Sequence, residues 1–233
     1  MKKILYMFFL VPVCLLSAFT LVYVFSKDEP LFFLKSIKIS GAEQLKEKDI
    51  MSKVSPFLRE SLLKIDALKM KDAITSHPFV KEVSIKRVFP FSIVIDVREK
   101  KPSALWVNGE GEVFVLDETG SPYRGLVKGD EKGMFIINAK DKGDVKSVFK
   151  EVNGWIGQNI IGKDALSEVS YNEGNLTIFG GENGVEIILG KEDQGKRLKR
   201  AMAVFEDAKK RGLLIKCIDA RFERGAYIKE REG

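Results

Sequence analysis

The chain has 233 residues, 45% of them apolar, with 39 Lys and Arg against 33 Asp and Glu and a formal net charge of +6. That apolar fraction suits a polypeptide that folds around real cores, not a disordered one. One histidine and two cysteines are too few for a disulfide framework or for a tetrahedral zinc site of the usual His and Cys types.

From Ile4 to Phe25 no side chain is charged. As a helix these residues are about 33 Å long, enough to cross a hydrocarbon core. Lys2 and Lys3 precede the run, while Lys27, Asp28 and Glu29 follow it and roughly cancel. The positive-inside rule therefore predicts a cytoplasmic tail at 1–3, a transmembrane helix at 4–25 and export of everything after it. A cleaved signal would have an apolar region of only about 7–15 residues ending in small side chains. Bulky Phe19, Tyr23 and Phe25 stand there instead, so an uncleaved anchor is expected. Net positive charge would favour nucleic acid in the cytosol, but export removes that polymer, and no nucleic-acid partner is expected.

Residues 26–33 read as a linker through Pro30. Leu34, Ile37 and Ile39 then punctuate a strand that Gly41 ends. A helix is predicted at about 46–54, with Ile50, Met51 and Val54 on one side and Pro56 interrupting it. A second is predicted at 66–76, with Asp66 as N-cap. His77, ahead of Pro78, ends that helix, and with no nucleophile at recognisable spacing it reads as a helix-terminal residue whose charge suits the dipole, not as a base. In "VSIKRVFPFSIVIDV" Val83 and Ile85, then Ile93, Ile95 and Val97, alternate with polar residues around a turn at Phe89 and Pro90, which predicts a hairpin with one buried face. The unit at 34–101 thus reads strand, helix, helix, strand, strand.

This order resembles a POTRA module. Pro78, Val80 and the run "KRVFPFSIVIDVREKKPSALW" are similar to the signature of the FtsQ/DivIB division proteins. The resemblance implies one membrane anchor, one POTRA module and a following β-rich domain at 102–233, an α+β fold overall. It places the chain in the inner (plasma) membrane at the division septum, with its bulk outside the cytoplasm.

Beyond Lys101 short strands are predicted at 104–107, 112–116 and 134–137, with "NGEG" and "DETGSPYRG" as breaks. A helix at 144–159 follows, its apolar side chains at i, i+3, i+4 and i+7 and Asp144 as cap. Strands at 166–171, 176–179 and 185–189 are joined by "NEGN" and "GGENG". Trp155, Phe149, Tyr171 and Phe179 are expected in the core.

In "ILGKEDQGKRLK" Gly190, four further residues, Gly195 and Lys196 match a phosphate-binding loop. Arg197 replaces the hydroxyl that would hold magnesium, and Asp193 is expected to cap the following helix at about 194–211. No nucleotide or other cofactor is expected. Cys217, in a strand, reads as a small buried apolar residue.

The chain finishes with a strand through Ile215, Cys217 and Asp219, a turn at Arg224 and Gly225, and a last strand at 226–229, which as a terminal strand is expected at a sheet edge. "IDARF" followed by "ERGAYI" is similar to the FtsQ/DivIB segment that receives FtsB, itself complexed with FtsL. The resemblance implies Arg221 as a charge partner for a carboxylate, Phe222 as an apolar contact, Gly225 as a point of close backbone approach, and Ala226, Tyr227 and Ile228 as the pairing strand. Proline at Tyr227 is expected to spare the fold and abolish capture. No catalytic role is expected; Asp96 and Glu99 read as solvent-facing or ion-paired. Two other classes stay open: a POTRA-containing adaptor in outer-membrane assembly, which should carry several POTRA copies and barrel strands, and a membrane-tethered cell-wall hydrolase.

Overall fold

The computed structural model describes residues 2–28, 32–58, 60–130, 133–181 and 184–231, and within the first helix the side chains of residues 10–24. That helix, α1, spans Lys2–Asp28. Among the described residues no helix is long and apolar enough to cross a membrane. The expected span at 4–25 reaches beyond the described side chains, all of which are exposed, Leu16 and Phe19 at 69% and 70%. The chain divides into two compact units, Met1–Lys100 and Lys101–Gly233.

In the first unit, β1 (Ser36–Ser40), α2 (Glu47–Val54), α3 (Ala67–Thr75), β2 (Val80–Val88) and β3 (Ser92–Glu99) follow the β-α-α-β-β order. Asp66 caps α3 as expected, accepting from the amides of Leu68 and Lys69 at 3.0 and 3.2 Å. Pro56 sits in a 3-10 turn at Ser55–Phe57. β3 lies centrally, parallel to β1 and antiparallel to β2, with Ile95 opposite both Ile39 and Ile85. Ile93, Ile95 and Val97 are buried against Ile50, Met70 and Ile74 of the helices.

Two carboxylates of β3 are hydrogen-bonded within the unit, Asp96 remaining solvent-exposed as expected. Glu99 is half-buried, and its carboxylate is engaged by backbone: it accepts from the amides of Glu43, Gln44 and Leu45 at 2.8–3.1 Å, tying the start of the helical segment to the end of the sheet. Asp96 accepts from the Ser40 hydroxyl at 3.0 Å. His77 Nδ1 accepts from the Phe79 amide at 3.3 Å and so closes the turn after α3.

The second unit is a nine-stranded sheet with two helices. Its strands are β4 (Ala104–Val107), β5 (Val113–Leu116), β6 (Pro122–Gly125), β7 (Ile136–Asn138), β8 (Leu166–Asn172), β9 (Asn175–Gly180), β10 (Val185–Gly190), β11 (Ile215–Asp219) and β12 (Tyr227–Glu230). Their spatial order is β12-β11-β10-β9-β8-β7-β4-β5-β6. Parallel neighbours need long crossovers: α4 (Lys142–Gly157) connects β7 to β8, and α5 (Gln194–Lys210) connects β10 to β11. Val148, Val152 and Trp155 of α4 and Leu198 and Ala201 of α5 share one core with Val169, Ile178, Ile187 and Ile218 of the sheet.

Several local expectations are corrected. "SPYRG" is not only a break: β6 lies within it, and proline is tolerated there because an edge strand has a side with no ladder to supply. The strand expected at 134–137 is β7, two residues further on at its start. Asp141, not Asp144, caps α4, its carboxylate accepting from Gly143 and Asp144 amides at 2.9 and 3.0 Å. Phe149 and Trp155 are buried and Tyr171 packs against the same core, but Phe179 alternates with buried Ile178 and lies on the opposite sheet face, opposite Glu168 and Glu186.

Candidate functional site

Among the described residues β12 forms one margin of the second unit's sheet. β10 ends at Gly190, whose φ of +73° turns the chain towards α5; a Cβ there would lie 3.0 Å from Arg197 Nη1 and 3.1 Å from Arg221 Cγ. Asp193 precedes α5 as expected, yet at φ +49° its side chain bonds no first-turn amide. The carboxylate faces Lys196 at 3.4 Å. Left-handed backbone at the cap residue turns the side chain away from the helix axis, so the expected cap is corrected. The loop is held from the helix side instead: Gln194 Nε2 donates to the carbonyls of Gly174 and Gly190 at 3.0 and 2.7 Å, and Arg197 Nη1 donates to that of Leu189 at 2.7 Å.

α5 also shapes the segment after β11. The guanidinium of Arg200 donates to the carbonyls of Ala220 at 2.7 Å, Glu223 at 3.1 Å, and Phe222. Ala220 itself is fully buried and its amide is bonded to the Ile188 carbonyl. A single cation thus pins segment 220–223 to the helix, leaving Phe222 54% exposed. Arg200→Ala is expected to lower the unfolding free energy of this unit by about 2 kcal/mol, since hydrogen bonds to charged groups contribute roughly 1.5–3 kcal/mol each and water replaces part of them. Arg200→Lys should recover only part, a point charge being unable to span three carbonyls. Denaturant unfolding of the two variants checks the order.

Arg221 is engaged within the chain. Its guanidinium forms a fork with Asp219, Nε to Oδ1 at 2.9 Å and Nη2 to Oδ2 at 2.6 Å. Arg221 therefore already has a carboxylate partner within the chain. The hydrogen bonds from Arg221 hold the Asp219 carboxyl below its usual range. With the folded value depressed, this stabilisation is complete above the unfolded aspartate value, about 3.9, and is lost as pH falls through the folded one. An acid titration followed by circular dichroism should show a shallower loss of stability below that value in Asp219→Asn than in the parent chain.

Gly225, at φ +76°, turns the chain into β12. β12 runs antiparallel to β11, with Asp219 opposite Tyr227, Ile218 opposite Ile228 and Cys217 opposite Lys229. Ala226 and Ile228 pack against the core, whereas Tyr227 is 64% exposed on the other face. Cys217 shares that open face and is only half-buried beside Glu186, so it is not the buried apolar residue expected; burial, then Glu186, push its thiol up.

Among the described residues β12 has β11 on one side and no strand on the other. The Arg231 amide donates to the Leu214 carbonyl on the β11 side at 2.7 Å. The register slips by one residue on β11, between Ile215 and Cys217, while β12 pairs residue by residue from Tyr227 to Glu230; with backbone groups alternating along β12, the amides of Lys229 and Tyr227 face β11 as that of Arg231 does, and those of Ile228 and Glu230 face outward. Proline at Tyr227 would therefore cut the sheet's own ladder, and the substitution expected to spare the fold belongs at an outward position. Of the sequence-derived residues the structure gathers Phe222, Gly225, Ala226, Tyr227 and Ile228 at this margin and adds Asp219 and Arg200, which sequence alone did not single out. Among the described residues no three His, Cys, Asp or Glu side chains gather as metal ligands would.

Comparison with known proteins bears on both units. The family profile described as "POTRA domain, FtsQ-type" matches residues 32–100, and that described as "Cell division protein FtsQ/DivIB, C-terminal" matches residues 104–221. β12 lies beyond the second match. The chain is similar to a "Cell division protein FtsQ" of Geobacter sp. strain M21, 24% identical over 86% of this chain and 77% of that one. It is similar to the protein of that name from Hahella chejuensis, 28% identical over 78% and 63% of the two chains, and to that from Neisseria meningitidis serogroup B, 22% identical over 92% and 88%.

Proposed function

The chain belongs to the FtsQ/DivIB family of cell division proteins, and from that premise we propose that it is a divisome scaffold that captures an extended segment of an FtsB/FtsL-like partner along the outer side of β12. The observation that carries this reading is the edge position of β12, with outward amides at Ile228 and Glu230 and no strand beside them among the described residues. Main-chain pairing supplies the affinity, and the side chains beside it supply selection. Tyr227 and Phe222, both exposed, offer apolar contact; Ala226 and Ile228, turned to the core, offer backbone only. The Asp219–Arg221 fork sets the polar boundary of the site.

In the same reading α1 is the single membrane anchor at 4–25, with residues 1–3 cytoplasmic and the POTRA module at 34–101 and β-domain at 102–233 extracytoplasmic. Support comes from the exposed apolar side chains described along α1, which no part of a water-soluble protein would leave uncovered. The hairpin around Val83 to Val97 is a second docking surface for other divisome proteins, so that the molecule links early and late septal factors and acts on septal wall synthesis without chemistry of its own.

Solubilising membranes and purifying the full chain should bring down two small single-span coiled-coil proteins, and depletion should give unseptated filaments. Isolation of the chain alone under conditions that preserve other membrane complexes, together with normal septation after depletion, contradicts the proposal.

A further inference from the structure

The end of the POTRA module nearest α1, at the turn of the β2–β3 hairpin, carries an exposed aromatic and basic surface. The register brings Ser36, Ser92 and Val88 side by side, so that β1 begins, β3 begins and β2 ends at one edge of the module. Three Phe side chains converge there. Phe32 meets Phe89 edge-on at 5.4 Å between ring centres, and Phe91 at 6.5 Å. The Lys35 ammonium lies over Phe91 at 4.4 Å and Phe33 at 5.1 Å. Phe33 also bridges to Ser61, which brings Leu63 to the same end. Phe33, Leu63, Val88 and Phe89 are 45%, 56%, 46% and 57% exposed. An isolated apolar residue at a surface needs no explanation, but four together at one end of a module of this size do.

Chain connectivity says what covers them. α1 ends at Asp28 and the module is already folding at Phe32. Four residue steps reach at most about 14 Å. If α1 spans the bilayer, on which this inference rests, the cluster is confined to the depth of the lipid headgroups. Aromatic rings with a lysine among them are the side chains that partition to that depth, the rings among the upper acyl chains and the ammonium at the phosphates. Glu60, an exposed acidic residue, is joined to this end through its carbonyl, which accepts the Leu34 amide at 3.4 Å.

We infer that this end of the POTRA module seats on the outer leaflet, with Phe89 and Phe33 inserted in the lipid interface and Lys35 against lipid phosphate, so that the module is held at a fixed attitude to the membrane.

The test uses the full chain in nanodiscs of brominated phosphatidylcholine with phosphatidylglycerol, and the same discs without bromine. Phe89→Trp supplies the reporter, Phe19→Trp marks the span, and Thr75→Trp, exposed at the other end of the module, serves as control; the native Trp106 and Trp155 are buried and are subtracted with the parent chain. Bromine is expected to quench the reporters at 89 and 19 and to leave that at 75 unchanged. Quenching at 19 without quenching at 89, or equal quenching at 89 and 75, overturns the inference while leaving the anchor intact. No quenching at 19 overturns the anchor and the inference with it. Should Phe89→Trp misfold, Val88→Trp reads the same surface.

Discussion

Glu230→Pro is expected to weaken capture of the FtsB/FtsL-like partner about thirtyfold while leaving the fold in place. The Glu230 amide points away from β11, so proline there removes a donor that no internal ladder uses and places a ring where an incoming strand must approach. Losing one charge-neutral backbone bond and distorting its neighbour costs about 2 kcal/mol of association, roughly a thirtyfold weaker complex. Ile228→Pro should weaken binding as strongly but also lower stability, because the Ile228 side chain packs against the core. Lys229→Pro, whose amide faces β11, provides the contrast: it should destabilise the margin itself. Titration of labelled partner peptide and thermal unfolding of the three variants separate these effects, and full binding by Glu230→Pro would remove the case for strand addition.

Gly180→Ala is expected to be among the most damaging single changes in the second unit. A Cβ at Gly180 would sit 2.0 Å from the Ala165 carbonyl oxygen, which is held in place by the Gly181 amide at 2.8 Å. Backbone cannot yield as a flexible side chain would, so β8 or β9 must shift within the centre of the sheet. A cost of about 3 kcal/mol follows from overpacking, or a fall of about 10 °C in Tm for a unit of this size. Gly225→Ala, at positive φ but with open space around its Cβ, should cost far less. Differential scanning calorimetry of the two variants compares a steric clash with a purely conformational strain.

What could be read from sequence, and what could not, divides along physical lines. The helices at α3, α4 and α5 and the β2–β3 hairpin carry periodic apolar side chains that one face must bury, so their presence follows from local pattern. β6 escapes because its single neighbour leaves Pro122 and Gly125 unpenalised, and such residues read as turn. Two aspartates, Asp141 and Asp144, stand within one turn of the start of α4, and apolar phase does not choose between them. The Asp193 cap fails through a left-handed backbone that no residue type signals there.

At the site, the last strand was legible as a short apolar segment after the turn at Gly225, whereas its supports were not. Arg200 binds carbonyls 20, 22 and 23 residues away, and Glu99 binds amides 54–56 residues away. Backbone partners have no side-chain identity, so nothing in the sequence marks them. Arg221 was legible as a charge but not as one already committed to Asp219, since only the turn after β11 brings the two into a fork.

Amide hydrogen exchange at Ile228 and Glu230, resolved residue by residue in the full chain with and without the FtsB/FtsL-like complex, tests the central claim most directly. The account predicts rapid exchange at both amides in the free chain, slow exchange once the partner is added, and Lys229 protected throughout. Protection of Ile228 and Glu230 before the partner is present, or rapid exchange after it has bound, would contradict it.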